Sequence, residues 1–225
     1  MNSVIWFTLI LALLFLFAPL ISFILHGGEL EGVRIASCQS NMKQIGLALD
    51  QYSQDNNGTL PRYSNANGHG WREAIYPYIK STGVYRCPDD KRDSSHDSAD
   101  NIPKSYAANH IASAMPIKLK MFADPALTIS AVDTRGYGGE EWNMTDPAFL
   151  PTTGRELYSH TPRHLFYERM AGKVNFLFAD GHVKALKPAA TLVPINLWTV
   201  NNAPFTGQDL QNAQAILTHA ENEQH

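Results

Sequence analysis

Residues 174–186 read VNFLFADGHVKAL, and whether their centre is an active site or a turn decides the fold. An acid beside a histidine suggests metal ligation or acid/base chemistry. The flanking residues suggest a hairpin. Val174, Phe176 and Phe178 alternate on one face of an incoming strand, and Val183 and Ala185 continue on its return. Asp180-Gly181 then fits a two-residue turn with positive φ at both positions, the geometry that matches strand twist. A hairpin requires an antiparallel pair.

Upstream, LTISAVDT (127–134) alternates and is β-branched enough for a second strand. Between these strands lies the Gly/Pro-rich excursion GYGGEEWNMTDPAFLPTTG (136–154). Before them, DKRDSSHDSADN (90–101) reads as a surface loop, VYRCPDD (84–90) as an extended piece turning at Pro88, and WREAIYPYI (71–79) as a short helix. That helix would carry Trp71, Ile75 and Ile79 on one face, bent by Pro77. The strongest helical signal is GVRIASCQSNMKQIGLALDQYSQDNNG (32–58). Ile35, Cys38, Met42, Ile45, Leu49 and Tyr52 recur at steps of three and four, one seam of a helix, and DNNG supplies residues that end helices. The tail from Asn201 is polar, with a loosely docked helix expected near its end. Helices that precede strands, without alternating with them, imply an α+β fold with an antiparallel sheet.

The front of the chain is different. Val4 to Leu25 carries no charge, and its only polar side chains are Thr8 and Ser22. At the helical rise this stretch reaches about 33 Å, enough to cross a hydrocarbon core of about 30 Å. No basic start precedes it and no small-residue cleavage site ends it, so an uncleaved single-pass anchor is expected rather than a signal peptide. The expected organisation is an anchor (1–26), a linker from Gly27 with the amphipathic helix (27–58), a globular head (59–200) and a polar tail (201–225). A formal net charge of -3, without runs of either sign, gives no basic footprint for nucleic acid. The two cysteines, Cys38 and Cys87, form an even pair behind an export-type segment, which favours a disulfide. A reduced pair is the alternative, because geometry is not legible from spacing.

Several of these pieces resemble, in order, the blocks of pilin-like proteins of the prepilin-type "H-X9-DG" group. The helix and turn SCQSNMKQIGLALDQYSQDNNGTLPRY, then VYRCPDD, DPALTISAVDT and NFLFADGHVKAL carry the resemblance, which spans most of residues 7–187. It implies a type IV pilin or type II secretion pseudopilin architecture, with an N-terminal hydrophobic helix running into a small antiparallel head. Two departures stand out. Such proteins start with a Gly-Phe-Thr-Leu-Ile-Glu-like junction, cut before the Phe. Here WFTLIL keeps Phe7, but Trp6 replaces the Gly and Leu11 the Glu. A lone carboxylate in hydrocarbon is costly unless bonded to a neighbouring subunit, so losing it implies weak filament incorporation. In the naming motif a His lies nine residues before Asp-Gly. The nearest equivalent, His164, has fifteen residues before Asp180-Gly181, with LFYERMAGK lengthening the connection.

The residues that suggest chemistry read more simply as structure. His160 and His164 are separated by Pro162, so they do not sit one helical turn apart as zinc-binding HExxH requires, and His182 follows a turn glycine. Asp89, Asp90, Asp93 and Asp97 lack the spacing of a calcium loop. Asp133 reads as a turn former at a strand end. No nucleophile elbow or phosphate loop is present. The sequons at Asn57 and Asn143 fit surface loops. No catalytic residue, metal or cofactor is expected. The leading expectation is a pilin-like structural or interaction protein in a bacterial inner membrane. Its head would be periplasmic or surface-exposed, and its partners would be the membrane and pilin-like subunits. An envelope-binding module using exposed Tyr137, Trp142 and Trp198 as stacking platforms comes second, and a histidine-based metalloenzyme last.

Overall fold

The computed structural model describes residues 2–62, 70–90, 102–109, 117–134, 141–142 and 173–222. Among these residues three helices and five strands make an α+β arrangement: α1 (Asn2–Asp55), α2 (Trp71–Ile79), β1 (Tyr106–Asn109), β2 (Ile129–Asp133), β3 (Glu141–Trp142), β4 (Val174–Phe178), β5 (Val183–Leu186) and α3 (Gly207–Asn222).

The seam read from the sequence faces inward. Ile35, Cys38, Met42 and Ile45 are buried, Leu49 and Tyr52 half-buried, while Lys43, Gln44, Asp50 and Gln54 are exposed. The helix stops where Asn57 and Gly58 turn left-handed (φ 56° and 78°) and Gly58 N–H donates to Ser53 O at 2.7 Å. Just before this stop, Asp55 accepts a 2.8 Å hydrogen bond from the Tyr78 hydroxyl of α2, which raises the Tyr78 pKa. The linker expected at HGGELEG is not a break, since the backbone is helical without interruption from Asn2 to Asp55. Glycine inside a helix costs about 1 kcal/mol but does not stop it without a capping geometry. Among the described residues no helix is long and apolar enough to cross a membrane. Within Val4–Leu25 only the side chains of Leu13, Phe17 and Ala18 are described, all exposed. The rest of the expected span, including the side chains of Trp6, Phe7 and Leu11, lies outside the described residues.

The strands form one sheet in the order β3-β1-β2-β4-β5. The pairs β1–β2, β2–β4 and β4–β5 are antiparallel, as expected, but the short β3 runs parallel to β1. The difference follows from chain direction, because a segment that reverses after β2 must run the same way as β1. A bulge at Ser130, between the pairs Ile129↔Phe178 and Ala131↔Leu177, places Ile129 and Val132 on one face and Ala131 on the other.

Both faces of the sheet are covered. All five residues of β4 are buried. Val174, Phe176 and Phe178 point into a core with Ile129, Val132, Leu192 and Trp198, while Leu177 joins the opposite core under α1 and α2, with Met42, Ile45, Trp71 and Ile75. The C-terminal segment supplies the cover on the first face. Phe205 and Ala213 are buried there and Leu210 packs against them, so α3 is docked and not loosely attached. Trp198, expected as an exposed platform, is fully buried. It meets Phe176 edge-to-face at 5.8 Å, and its indole N–H donates to Thr191 Oγ1 at 2.8 Å. A large aromatic that finds an acceptor for its N–H is stable inside, which removes it as a stacking surface.

Candidate functional site

Among the described residues, Cys38, Cys87, Asp133, Asp180 and His182 lie along the junction where α1 crosses the sheet. At one end Cys38 of α1 is bonded to Cys87, with Cα atoms 4.8 Å apart and both residues without exposed surface. Helical periodicity turns Cys38 inward, and the short 3₁₀ turn Thr82–Tyr85 delivers the chain to Cys87. Around the bond, Asn41 Nδ2 donates to Arg86 O at 2.8 Å, and the Tyr106 hydroxyl lies 3.4 Å from Cys38 O. Tyr85 donates its hydroxyl to Arg72 O at 2.8 Å. Burial pushes the Tyr85 phenol well above its ordinary pKa, with nearby Arg72 opposing.

In the middle, a polar chain ties helix to sheet. Gln39 Nε2 donates to Asn175 Oδ1 at 2.9 Å, and Asn175 Nδ2 donates to Asp133 Oδ2 at 2.7 Å. Asn175 and Asp133 are buried. Asp133 is therefore not the turn former expected from its place at a strand end; it is a buried acceptor on the helix side of β2. This chain was not anticipated. Its signal was the single polar residue inside the apolar run VNFLF, at a position whose alternation faces α1.

At the far end sits the opening motif. Gly181 N–H donates to Phe178 O, and Phe178 N–H to His182 O, both at 2.9 Å. The loop is thus three residues, Ala179-Asp180-Gly181, and only Gly181 has positive φ (87°). The expected two-residue turn with two positive φ values does not form. A turn closed by one left-handed glycine is the next common solution, and it leaves the aspartate in an ordinary conformation. Asp180 is occupied locally. Its Oδ1 accepts from His182 N–H at 3.1 Å and lies 2.6 Å from His182 Nδ1, while the imidazole stacks on Phe178 with centroids 4.2 Å apart. The turn rests on α1 at Gly46, where an added Cβ would come within 2.9 Å of Leu177 Cδ1 and 3.2 Å of Gly181 Cα. Asp-Gly-His is thus explained by folding: it closes the hairpin and brings it against the helix.

His160 and His164, with Asp93 and Asp97, lie outside the described residues, as do Tyr137 and the side chain of Trp142. Among the described residues no three His, Cys, Asp or Glu side chains gather as metal ligands. An apolar pocket lies between the end of α1 and strands β1 and β2, lined by Leu49, Leu60, Trp71, Phe122 and Ala131. Its polar neighbours are committed to the fold: Asn109 Nδ2 donates to Ile129 O and Trp198 O, and Ser130 donates to Leu177 O.

Fold and junction together define a class: an α+β head whose central sheet is fastened to the second half of one long N-terminal helix. Within that class the chain belongs to the SBP_bac_10 family, described as "Protein of unknown function (DUF1559)", whose model matches residues 31–164. The match begins on α1 and ends before the 174–186 hairpin that carries the Asp-Gly of the "H-X9-DG" resemblance. No curated protein and no solved structure matches the chain.

Proposed function

We propose that this chain is a membrane-anchored, pilin-like structural or interaction protein, not an enzyme, with its head on the outer side of a bacterial inner membrane. The observation that carries the reading is α1. It is one helix of 54 residues, whose second half is docked in the head and whose first half is uncharged from Val4 to Leu25. At the helical rise it is roughly 80 Å long, far beyond the diameter of a small domain, so its apolar half needs another environment. Two further facts support the reading. The family is one of bacterial proteins often with a prepilin-like N-terminus. The buried Cys38–Cys87 bond suits an oxidising compartment.

Membrane fractionation with protease accessibility on intact and lysed spheroplasts tests this. The protein should sediment with membranes, its head should be digested only once the outer side is opened, and a soluble or cytoplasmic head would overturn the reading. Partnership with other pilin-like subunits is the expected mode of interaction. Filament membership is expected to be poor, because Trp6 and Leu11 stand where the Gly and Glu of the processing junction would be. Antibody labelling of sheared surface fibres should find little of it, and abundant labelling would show that the altered junction does not matter.

A further inference from the structure

The stop of α1 contains a pairing that the proposed role leaves unused: Asn57 followed by Gly58. We propose that Asn57 is a fold-gated site of spontaneous modification, closed while the last turn of α1 is capped and reactive when that turn opens. In an open chain, the Gly58 nitrogen attacks Asn57 Cγ, unhindered by a side chain on the glycine. The N–Cγ bond forms, the Cγ–Nδ2 bond breaks, and the glycine amide proton leaves with the departing nitrogen as ammonia. Water then opens the cyclic imide at either carbonyl, giving aspartate or isoaspartate. The balance is one water consumed and one ammonia released, with no redox step.

The fold opposes the first step in three ways. Gly58 N–H is held by Ser53 O at 2.7 Å, so the nucleophile is engaged. Asn57 is held at φ 56° in the capped turn, and the imide ring closes through rotation about the Asn57 Cα–C bond, which the hydrogen bonds of Gly58 restrain. The following residues are pinned as well: Leu119 N–H donates to Gly58 O at 2.9 Å and Leu60 N–H to Ile117 O at 2.8 Å, while Leu60 packs with Ile117 and Phe122. Asn57 itself is exposed, so water reaches it once the turn opens. The product would not fit back. A carboxylate at this position faces the negative end of the helix dipole, and isoaspartate inserts an extra backbone atom between Ser53 O and its donor. Each event thus leaves a permanent mark and loosens the turn further.

Full-length protein in detergent, incubated at mildly alkaline pH with and without concentrated guanidinium chloride, tests the proposal by site-resolved peptide mass spectrometry. Conversion at Asn57 should be roughly tenfold or more slower in the folded protein, the protection given by a turn closed at least about nine-tenths of the time. Leu60→Ala, which loosens the pinned segment after the turn without touching the reacting pair, should raise the native rate several-fold. Equal rates in folded and unfolded protein, or an Asn57 already substituted with a glycan through its Asn57-Gly58-Thr59 sequon, would overturn it.

Discussion

Individual residues at the helix–sheet junction are constrained by contact more than by chemistry, and glycine shows this most directly. Gly46→Ala should destabilise the head by about 1 kcal/mol or more even though alanine favours helix, because the new methyl meets Leu177 and the backbone of Gly181. Gly32→Ala on the same helix meets nothing within 4 Å and should stabilise by roughly 0.5–1 kcal/mol. Opposite shifts of the denaturant midpoint would confirm the pair, and two shifts of the same sign would refute the close approach. Trp198→Phe keeps most of the apolar volume but strands Thr191 without its indole donor, so a loss of about 1–2 kcal/mol is expected in the same measurement. Sequence reading placed Asp180-Gly181 in a turn but left Gly46 unremarked, because a close approach is a property of two distant segments. It misread Trp198 because the burial of an aromatic in a segment without periodicity depends on which core that segment meets.

Elements are joined here by one covalent and several polar links. Reduction of the Cys38–Cys87 bond, or its replacement by a serine pair, should cost roughly 4 kcal/mol through the freed 49-residue separation, visible as a lower thermal midpoint. Tyr85 adds a pH dependence to the same corner. Its folded pKa is raised by burial, so its contribution is fully present below the ordinary tyrosine value of about 10 and is lost as pH climbs above it. Alkaline unfolding should therefore set in above about pH 10, and Tyr85→Phe should flatten that limb while removing the hydrogen bond to Arg72 O. Unchanged alkaline behaviour in the Phe variant would assign the limb elsewhere. At this scale the sequence was most informative for α1, whose seam of six residues is a strict helical repeat. It was least informative for β3 and for the covering role of α3, since neither a two-residue strand nor a mostly polar helix carries a periodic signal of its own.

The molecule as a whole is a sheet with a different cover on each face. Among the described residues the buried side chains of α1 begin at Ile35 and its core contacts at Cys38, so a chain lacking residues 1–31 should fold with a thermal midpoint within about 4 °C of the full-length protein. A larger drop would mean that the first half of α1 contributes to the head. The α+β class was legible because helical and alternating segments are segregated along the chain. The two-sided cover was not, because Asn175 broke the apolar run that would have announced a strand buried on both faces. That arrangement also sets an order of events during synthesis. Strand β4 sits between β2 and β5, and one of its faces needs Trp198, Phe205 and Ala213, which follow it in the chain. The early helix and β1–β2 emerge with half their sheet missing and wait, with apolar surface uncovered, for the segment that follows β5 to arrive.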